Sequence, residues 1–291
     1  MTPESSLRAE IVEVGRRMYA RGYTASNDGN ISARLGNDRL LMTPKSVCKG
    51  FMSTDMMCVT DLEGRKLQGD RDPSSEMLMH LEVYRQRPDV NAVVHAHPPI
   101  ATGFAVAGIP LNRAVLAEVL TTLGSIPIAN YATPSTRELP EAVRGYIKAH
   151  DGMLLANHGA LTVGADLYSA YFKMETIEHF AHISLVARLL GGENLLAREE
   201  VTRLQGLRGS YGIQAPAPIC PDPEQSSGAE PRQDDVTPCQ VVESPLGLGR
   251  RLVSEAAAVR GAKPRTGDDD EIRLTYRELS ALIEDAVRSL K

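Results

Sequence analysis

Residues 87–99 read RPDVNAVVHAHPP, a short apolar run that ends in two histidines. A Pro-Asp pair breaks the chain ahead of this run, so a strand is expected over residues 90–97. Side chains two apart on a strand point to the same face of a sheet, so His95 and His97 would project from one side. That geometry suits two imidazole ligands on one metal ion, although two unrelated histidines at a strand end would look the same.

A third histidine follows a second apolar segment. Residues 153–159 read MLLANHG, and a strand over 153–156 would deliver His158 to an edge of the sheet. Three imidazole ligands leave an open coordination position, which is the arrangement of a catalytic zinc site. Glu76, in Pro-Ser-Ser-Glu at a predicted helix start, supplies a carboxylate as a fourth ligand or a base. Four other histidines lack such a placement and are expected to be structural: His80, His150, His179 and His182.

Three polar turns suggest an anion site close to Glu76. The turn DGNIS at 28–32 feeds a strand and can present backbone N–H groups, and TPKS at 43–46 adds a cation and hydroxyls. Ser74 and Ser75 add two hydroxyls, and as the start of a helix over 74–86 they would also offer N–H groups with a favourable dipole. Each turn alone also fits an ordinary loop or cap. Together they predict a phosphate cradle beside the carboxylate.

The composition favours a soluble enzyme or binding protein. The 291 residues are 42% hydrophobic and 24% charged, with a net charge of −5 and no basic run interleaved with aromatics. Nucleic acid and anionic membranes are therefore not expected as partners. No apolar run approaches the roughly 20 residues that cross a bilayer, and the first residues lack a secretory pattern. Four cysteines without CxxC pairing predict reduced thiols in a cytoplasmic protein.

The chain divides near its three-quarter point. Apolar spacing predicts a helix through residues 7–18, a hairpin over 30–42 and a long helix over 167–190. A stretch rich in proline, serine and acids then follows, which is typical of a mobile linker. Beyond it, residues 275–290 open on a capping-box pattern and carry one apolar stripe. Three segments result: a main domain over 1–215, a disordered linker over 216–241 and a helical extension over 242–291.

The motifs, taken together and in order, resemble the class II aldolase/adducin family, whose enzymes include aldolases of L-fuculose 1-phosphate. The matching segments are GNIS (29–32), TP (43–44), PSSE (73–76), RPDVNAVVHAHPP (87–99), YATPSTREL (131–139) and LLANHG (154–159). The resemblance covers roughly residues 5–210. It implies an α/β fold of three layers, in which a central, mainly antiparallel sheet has helices on both faces. It also implies a homotetramer whose active sites lie between subunits.

The resemblance implies a role for each candidate residue. His95, His97 and His158 would bind one Zn²⁺ per subunit, and Glu76 would be the acid/base that also reaches the metal in the free enzyme. The positions implied for phosphate binding are Gly29, Asn30, Lys45, Ser46, Ser74 and Ser75. The implied reaction cleaves a small ketose 1-phosphate into dihydroxyacetone phosphate and an aldehyde such as lactaldehyde.

Two departures from the family pattern leave alternatives open. Lys45-Ser46 stands where the aldolases often have Thr-Gly or Ser-Gly, and residues 111–124 lack the tyrosine that an aldolase places near Leu116 to protonate the departing aldehyde. Glu118 is either its substitute or a surface residue. The alternatives are a sugar-phosphate 4-epimerase, which would carry Asp in place of Glu76, a sugar-acid phosphate decarboxylase, and a non-catalytic adducin-like interaction module.

The C-terminal extension has two interpretations. It resembles the peptides that deliver enzymes into bacterial microcompartments, so residues 275–290 would bind a shell protein. Alternatively, this amphipathic helix packs on its own oligomer.

Overall fold

The computed structural model of the protein describes residues 3–211 and residue 213. The predicted linker (216–241) and extension (242–291) lie outside the described residues, together with Cys220 and Cys239. The three-segment organisation and the role of residues 275–290 therefore stay predictions.

The described part of the chain forms eight strands and seven α-helices. The strands are β1 (Asn30–Leu35), β2 (Arg39–Met42), β3 (Cys58–Asp61), β4 (Lys66–Gln68), β5 (Ala92–Ala96), β6 (Ile128–Ala129), β7 (Gly152–Leu155) and β8 (Gly159–Gly164). The helices are α1 (Glu4–Ala20), α2 (Met77–Gln86), α3 (Pro99–Val106), α4 (Ala117–Thr122), α5 (Glu138–Ile147), α6 (Leu167–Leu189) and α7 (Arg198–Leu207).

All eight strands join one sheet in the order β4-β3-β2-β1-β5-β8-β7-β6. Every pair is antiparallel except β6 with β7, so the predicted mainly antiparallel sheet is confirmed. Strand β5 lies between β1 and β8, with Asn30 and Leu161 directly opposite His95 on its two neighbours. The histidine-bearing strand is therefore held by hydrogen bonds on both sides.

Helices cover both faces of the sheet and create two apolar cores. One core joins the sheet to α1, α3 and α6, and includes Ile11, Val94 and Ile177. The other joins the sheet to α2 and α5, and includes Val83 and Val93. Because side chains alternate along β5, residue 95 faces the same side as residue 93. The alternation therefore directs His95 toward helix α2.

Two element boundaries differ from the sequence prediction. Helix α2 begins at Met77 rather than at residue 74, because the Ser74 N–H donates to the Thr43 carbonyl (3.1 Å) and is held in a paired loop. Strand β5 ends at Ala96, because the His97 N–H leaves the ladder and donates to the Tyr23 carbonyl (2.9 Å). The predicted first helix, hairpin and long helix are confirmed as α1, β1–β2 and α6.

A buried carboxylate joins the layers away from the histidines. Asp151 is 2% exposed and accepts hydrogen bonds from Arg87 (2.9 Å) and Lys173 (2.5 Å). Arg87 also donates to the Ile147 carbonyl at the end of α5 (3.1 Å). Buried charges are tolerated when paired in this way, and the network ties α5, β7 and α6 together. No helix among the described residues is long and apolar enough to cross a membrane.

Candidate functional site

Three imidazoles meet where β5 ends beside the β7–β8 turn. His95 lies on β5, His97 follows that strand immediately, and His158 lies in the turn. One ligand-capable atom from each residue lies within 4.8 Å of the others, and the Nε2 atoms of His95 and His97 are 3.1 Å apart. The structure thus brings together the three histidines that the sequence predicted as metal ligands.

Glu76 lies against two of these rings from the N-terminus of α2. Its Oε2 is 3.2 Å from His95 Nε2, and its Oε1 is 3.1 Å from His158 Nε2. Burial of the carboxylate opposes its charge, but the closeness of the His95 and His158 rings more than offsets burial and holds the pKa of Glu76 well below its usual range. Burial and the neighbouring His95 lower the pKa of His97 to about 4. The carboxylate is therefore ionised, and the His97 ring is neutral near pH 7.

The donor set fits a divalent cation such as zinc. The His95 Nδ1–H donates to the Ala160 carbonyl (2.9 Å), so the lone pair of its Nε2 faces the cluster. His97 Nδ1 lies 3.4 Å from a carboxylate oxygen of Asp28, which favours the same tautomer there. Lone pairs that converge in this way repel each other unless a cation lies between them. Imidazole nitrogens with a nearby carboxylate are ligands that zinc accepts.

The turn that precedes β1 packs closely against the histidine strand. Gly29 has a φ of +71°, and a Cβ at this position would lie 2.6 Å from Thr24 Cγ2 and 2.9 Å from the His95 carbonyl oxygen. A side chain would therefore meet both backbone strain and direct overlap. The absence of a side chain at Gly29 lets the turn approach His95, and its phosphate-binding role stays a prediction.

The segments predicted to bind phosphate lie side by side. The Thr43 N–H donates to the Ile31 carbonyl (3.0 Å), and the Lys45 N–H donates to the Asp72 carbonyl (2.9 Å), so residues 43–46 lie between the start of β1 and residues 72–75. The Lys45, Ser46 and Ser75 side chains are exposed, whereas Ser74 is buried. Their phosphate-binding roles remain predictions that this adjacency favours.

Lys49 is a site neighbour that sequence reasoning missed. Its side chain is 2% exposed, and its Nζ donates to the Asn27 carbonyl (3.0 Å) and to the Val47 carbonyl. Burial lowers the pKa of Lys49 to about 8, an effect that nearby Cys48, Asp28 and Glu76 oppose. The cation fixes the turn before β1 to the loop after β2. A lysine in a loop gives no sequence signal for such a role.

A buried polar chain behind Glu76 was also missed. Asn30 Nδ2 donates to Glu76 Oε2 (2.8 Å), and Asn30 Oδ1 is bonded to His80 Nε2. His80 Nδ1 lies 2.6 Å from Ser32 Oγ, which lies 2.9 Å from Tyr84 Oη. The Asn30 amide, predicted to bind phosphate, is thus engaged by two protein groups. The signal in the sequence was the four-residue spacing of Glu76, His80 and Tyr84, which places all three on one helix face.

The remaining candidates lie away from the cluster. His179 and His182 are exposed on α6, and His150 is buried with its Nδ1 3.1 Å from the Ser125 carbonyl. None of them belongs to the metal-binding group found among the described residues. Glu118 is exposed on α4, so its role as a substitute for the family tyrosine stays a prediction.

The fold and the site define a three-layer α/β protein with a three-histidine, one-carboxylate centre suited to a catalytic metal ion. Residues 9–185 match the family model of the Class II Aldolase and Adducin N-terminal domain, and the chain belongs to this family.

Relatives in this family carry more than one activity in their names. An L-fuculose phosphate aldolase of Methanococcus maripaludis is 33% identical over 177 residues, which are 61% of this chain and 95% of the relative. A 3-oxo-tetronate 4-phosphate decarboxylase of Haemophilus influenzae is 32% identical over 177 residues, covering 60% and 84%. A solved L-fuculose 1-phosphate aldolase has a TM-score of 0.66 and 29% identity, covering 71% of this chain and 97% of that structure. The chain is therefore similar to aldolases and to decarboxylases.

Proposed function

We propose that this protein is a zinc-dependent aldolase that cleaves a small ketose 1-phosphate, similar to L-fuculose 1-phosphate, into dihydroxyacetone phosphate and an aldehyde such as lactaldehyde. The observation that carries the proposal is the convergence of three imidazoles with Glu76, whose oxygens lie 3.1 and 3.2 Å from two of the ring nitrogens. A homotetramer in the cytoplasm, with residues 275–290 bound to a microcompartment shell, belongs to the same proposal.

The chemistry explains why these residue types are needed. Breaking the bond between C3 and C4 leaves its electron pair on C3, next to the C2 carbonyl, as an enediolate. A divalent cation held by His95, His97 and His158 would stabilise the negative charge on the enediolate oxygens. The C4 hydroxyl gives up its proton as the aldehyde forms, and C3 gains one to complete dihydroxyacetone phosphate. Glu76 is ionised and buried at the cluster, so it can accept a proton and deliver one to C3.

The predicted phosphate cradle would hold the substrate in register with Glu76. Lys45 and Ser46 lie on the loop that pairs with residues 72–75, and Ser75 directly precedes the carboxylate. Fixing the phosphate on this side leaves the C2 carbonyl and C3 to face the histidines. Such positioning removes much of the entropic cost of reaching the transition state.

Decarboxylation of a 3-oxo-tetronate 4-phosphate is the second candidate. Loss of CO₂ from C2 of that acid leaves the electron pair next to the C3 carbonyl, which gives the same three-carbon enediolate. The departing group then needs no proton transfer, whereas the departing aldehyde does. Residues 111–124 contain no tyrosine, and Glu118 is exposed, which favours this candidate. Glu76 in place of Asp argues against a 4-epimerase, and the complete metal-binding group argues against an adducin-like module.

The experiment is a product assay on the zinc-loaded full-length protein. Release of dihydroxyacetone phosphate is followed from a panel of ketose 1-phosphates and from 3-oxo-tetronate 4-phosphate, with ribulose 5-phosphate included to detect epimerisation. An aldehyde as co-product supports the aldolase, and CO₂ assigns the decarboxylase instead. The Glu76→Gln variant is the control and should bind zinc but turn over at a small fraction of the wild-type rate. No turnover and no stoichiometric metal in the wild type would overturn the proposal.

A further inference from the structure

The polar chain behind Glu76 is buried along its whole length. Asn30 and Tyr84 are each 3% exposed, and Ser32 and His80 are fully buried. Asn30 and Ser32 lie two apart on β1, while Glu76, His80 and Tyr84 lie four apart from the start of α2. The two-residue spacing on β1 and the four-residue spacing on α2 place each polar side chain of the strand next to polar side chains of the helix. Four hydrogen bonds then connect the buried carboxylate to Tyr84.

The donors and acceptors along this polar chain fix the direction of each of its hydrogen bonds. The Asn30 NH₂ group lies 2.8 Å from Glu76 Oε2 and donates to it, so the amide oxygen points the other way. The amide oxygen then faces His80 Nε2, which must carry the ring proton. His80 Nδ1 is left as an acceptor for the single hydroxyl proton of Ser32, and Tyr84 donates to Ser32. All four hydrogen bonds between Glu76 Oε2 and Tyr84 are made in this one arrangement.

We propose that His80 is a positioning residue, whose Nε2–H holds the Asn30 amide so that its NH₂ group fixes the Glu76 carboxylate for proton transfer to the substrate carbon. Without that donor the amide loses its orientation. A reversed amide would place its oxygen against the Glu76 oxygen, where two acceptors repel. The kinetic part of this inference rests on the proposed function, whereas the tautomer of His80 does not.

Kinetics of matched His80 variants test the positioning role. His80→Leu removes the donor, and we expect kcat to fall about 30-fold while KM and zinc content change less than about threefold, because the carboxylate moves and the other binding groups do not. His80→Gln places an amide N–H at the position of Nε2 and should recover kcat to within about threefold of wild type. His80→Asn is too short to reach Asn30 and should behave like His80→Leu.

Two controls separate positioning from loss of structure. His150 is buried to the same extent as His80 on another part of the fold, and His150→Leu should retain the wild-type kcat in correctly folded protein. If His80→Leu fails to fold, the comparison of His80→Gln with His80→Asn decides the matter. Equal kcat values for these two variants, or a His80→Leu variant with more than a third of the wild-type kcat, would overturn the proposal.

A substrate-free measurement tests the hydrogen-bond direction itself. Protein labelled with ¹⁵N-histidine gives side-chain spectra of its seven histidines, and the signal lost in His80→Gln identifies His80. We expect a neutral ring protonated on Nε2 from pH 6 to 8. A ring protonated on Nδ1, or one that titrates in this range, would refute the chain as described. This result stands whether or not any tested sugar phosphate is turned over.

Discussion

Replacing Gly29 with alanine should damage both the fold and the metal site. The residue has a φ of +71°, and the added Cβ would lie 2.6 Å from Thr24 Cγ2 and 2.9 Å from the His95 carbonyl oxygen. The left-handed backbone costs a non-glycine residue about 1–2 kcal/mol, and forced overlap in a packed region adds about 1–3 kcal/mol. We therefore expect Gly29→Ala to lower the free energy of unfolding by about 3 kcal/mol. Displacement of the His95 backbone should also weaken zinc binding.

Gly36 provides a matched control for this substitution. Its φ is +72°, and an added Cβ would meet no atom within 4 Å, so Gly36→Ala carries the backbone cost without the overlap. Both variants are unfolded with guanidinium at one protein concentration after chelator treatment. The chelator removes stabilisation by bound metal, and the fixed concentration keeps any contribution from association comparable. We expect Gly36→Ala to cost only about 1–2 kcal/mol and to keep wild-type zinc affinity. If the two variants are equally destabilised and bind zinc equally well, the close approach of the turn to His95 is not a constraint.

Three further predictions concern the metal, the buried ion network and acid stability. His158→Ala should lower the bound zinc, measured by plasma mass spectrometry after gel filtration, while substitution of the exposed His179 by alanine should retain the wild-type content. Equal zinc contents in the two variants would contradict His158 as a zinc ligand. Asp151→Asn should lower the free energy of guanidinium unfolding by about 2 kcal/mol, because it removes the buried negative charge that faces Arg87 and Lys173 and leaves Arg87 with Asp89 alone. A loss below about 1 kcal/mol would refute the network's importance. Burial and His95 lower the pKa of His80 to about 3, so below pH 6.5 the unfolded chain gains a proton that the folded chain does not. The unfolding free energy of wild type, measured with urea, should therefore fall by about 3 kcal/mol more between pH 7 and pH 4 than that of His80→Gln. An equal fall in the two proteins would contradict this.

The sequence predicted those features that depend on local pattern. Apolar periodicity located α1, the β1–β2 hairpin and α6, and the alternation in residues 90–97 predicted that His95 and His97 act together. The third histidine could be assigned because a strand places its end at a known edge of the sheet. The motif order, through the family resemblance, supplied the antiparallel sheet, which periodicity alone does not give.

The features that the sequence did not give depend on contacts between distant segments. Helix α2 begins three residues after its predicted start, because the Ser74 N–H is hydrogen-bonded to a loop more than 30 residues earlier in the chain. His80 was interpreted only as a structural histidine, since its partners on β1 lie 48 and 50 residues away. Lys49 likewise gains its role from burial, which a loop sequence of mixed polarity does not reveal.

His95, a predicted metal ligand, and Glu76, the proposed acid/base, lie on different elements of the fold. Residue 95 sits in a strand paired on both sides, whereas Glu76 caps a ten-residue helix lying on one face of the sheet. A shift of α2 would move the Glu76 carboxylate relative to His95 without breaking the hydrogen bonds that hold β5 in the sheet. Substitutions along α2 would therefore change the position of the proposed acid/base while the His95 imidazole keeps its place.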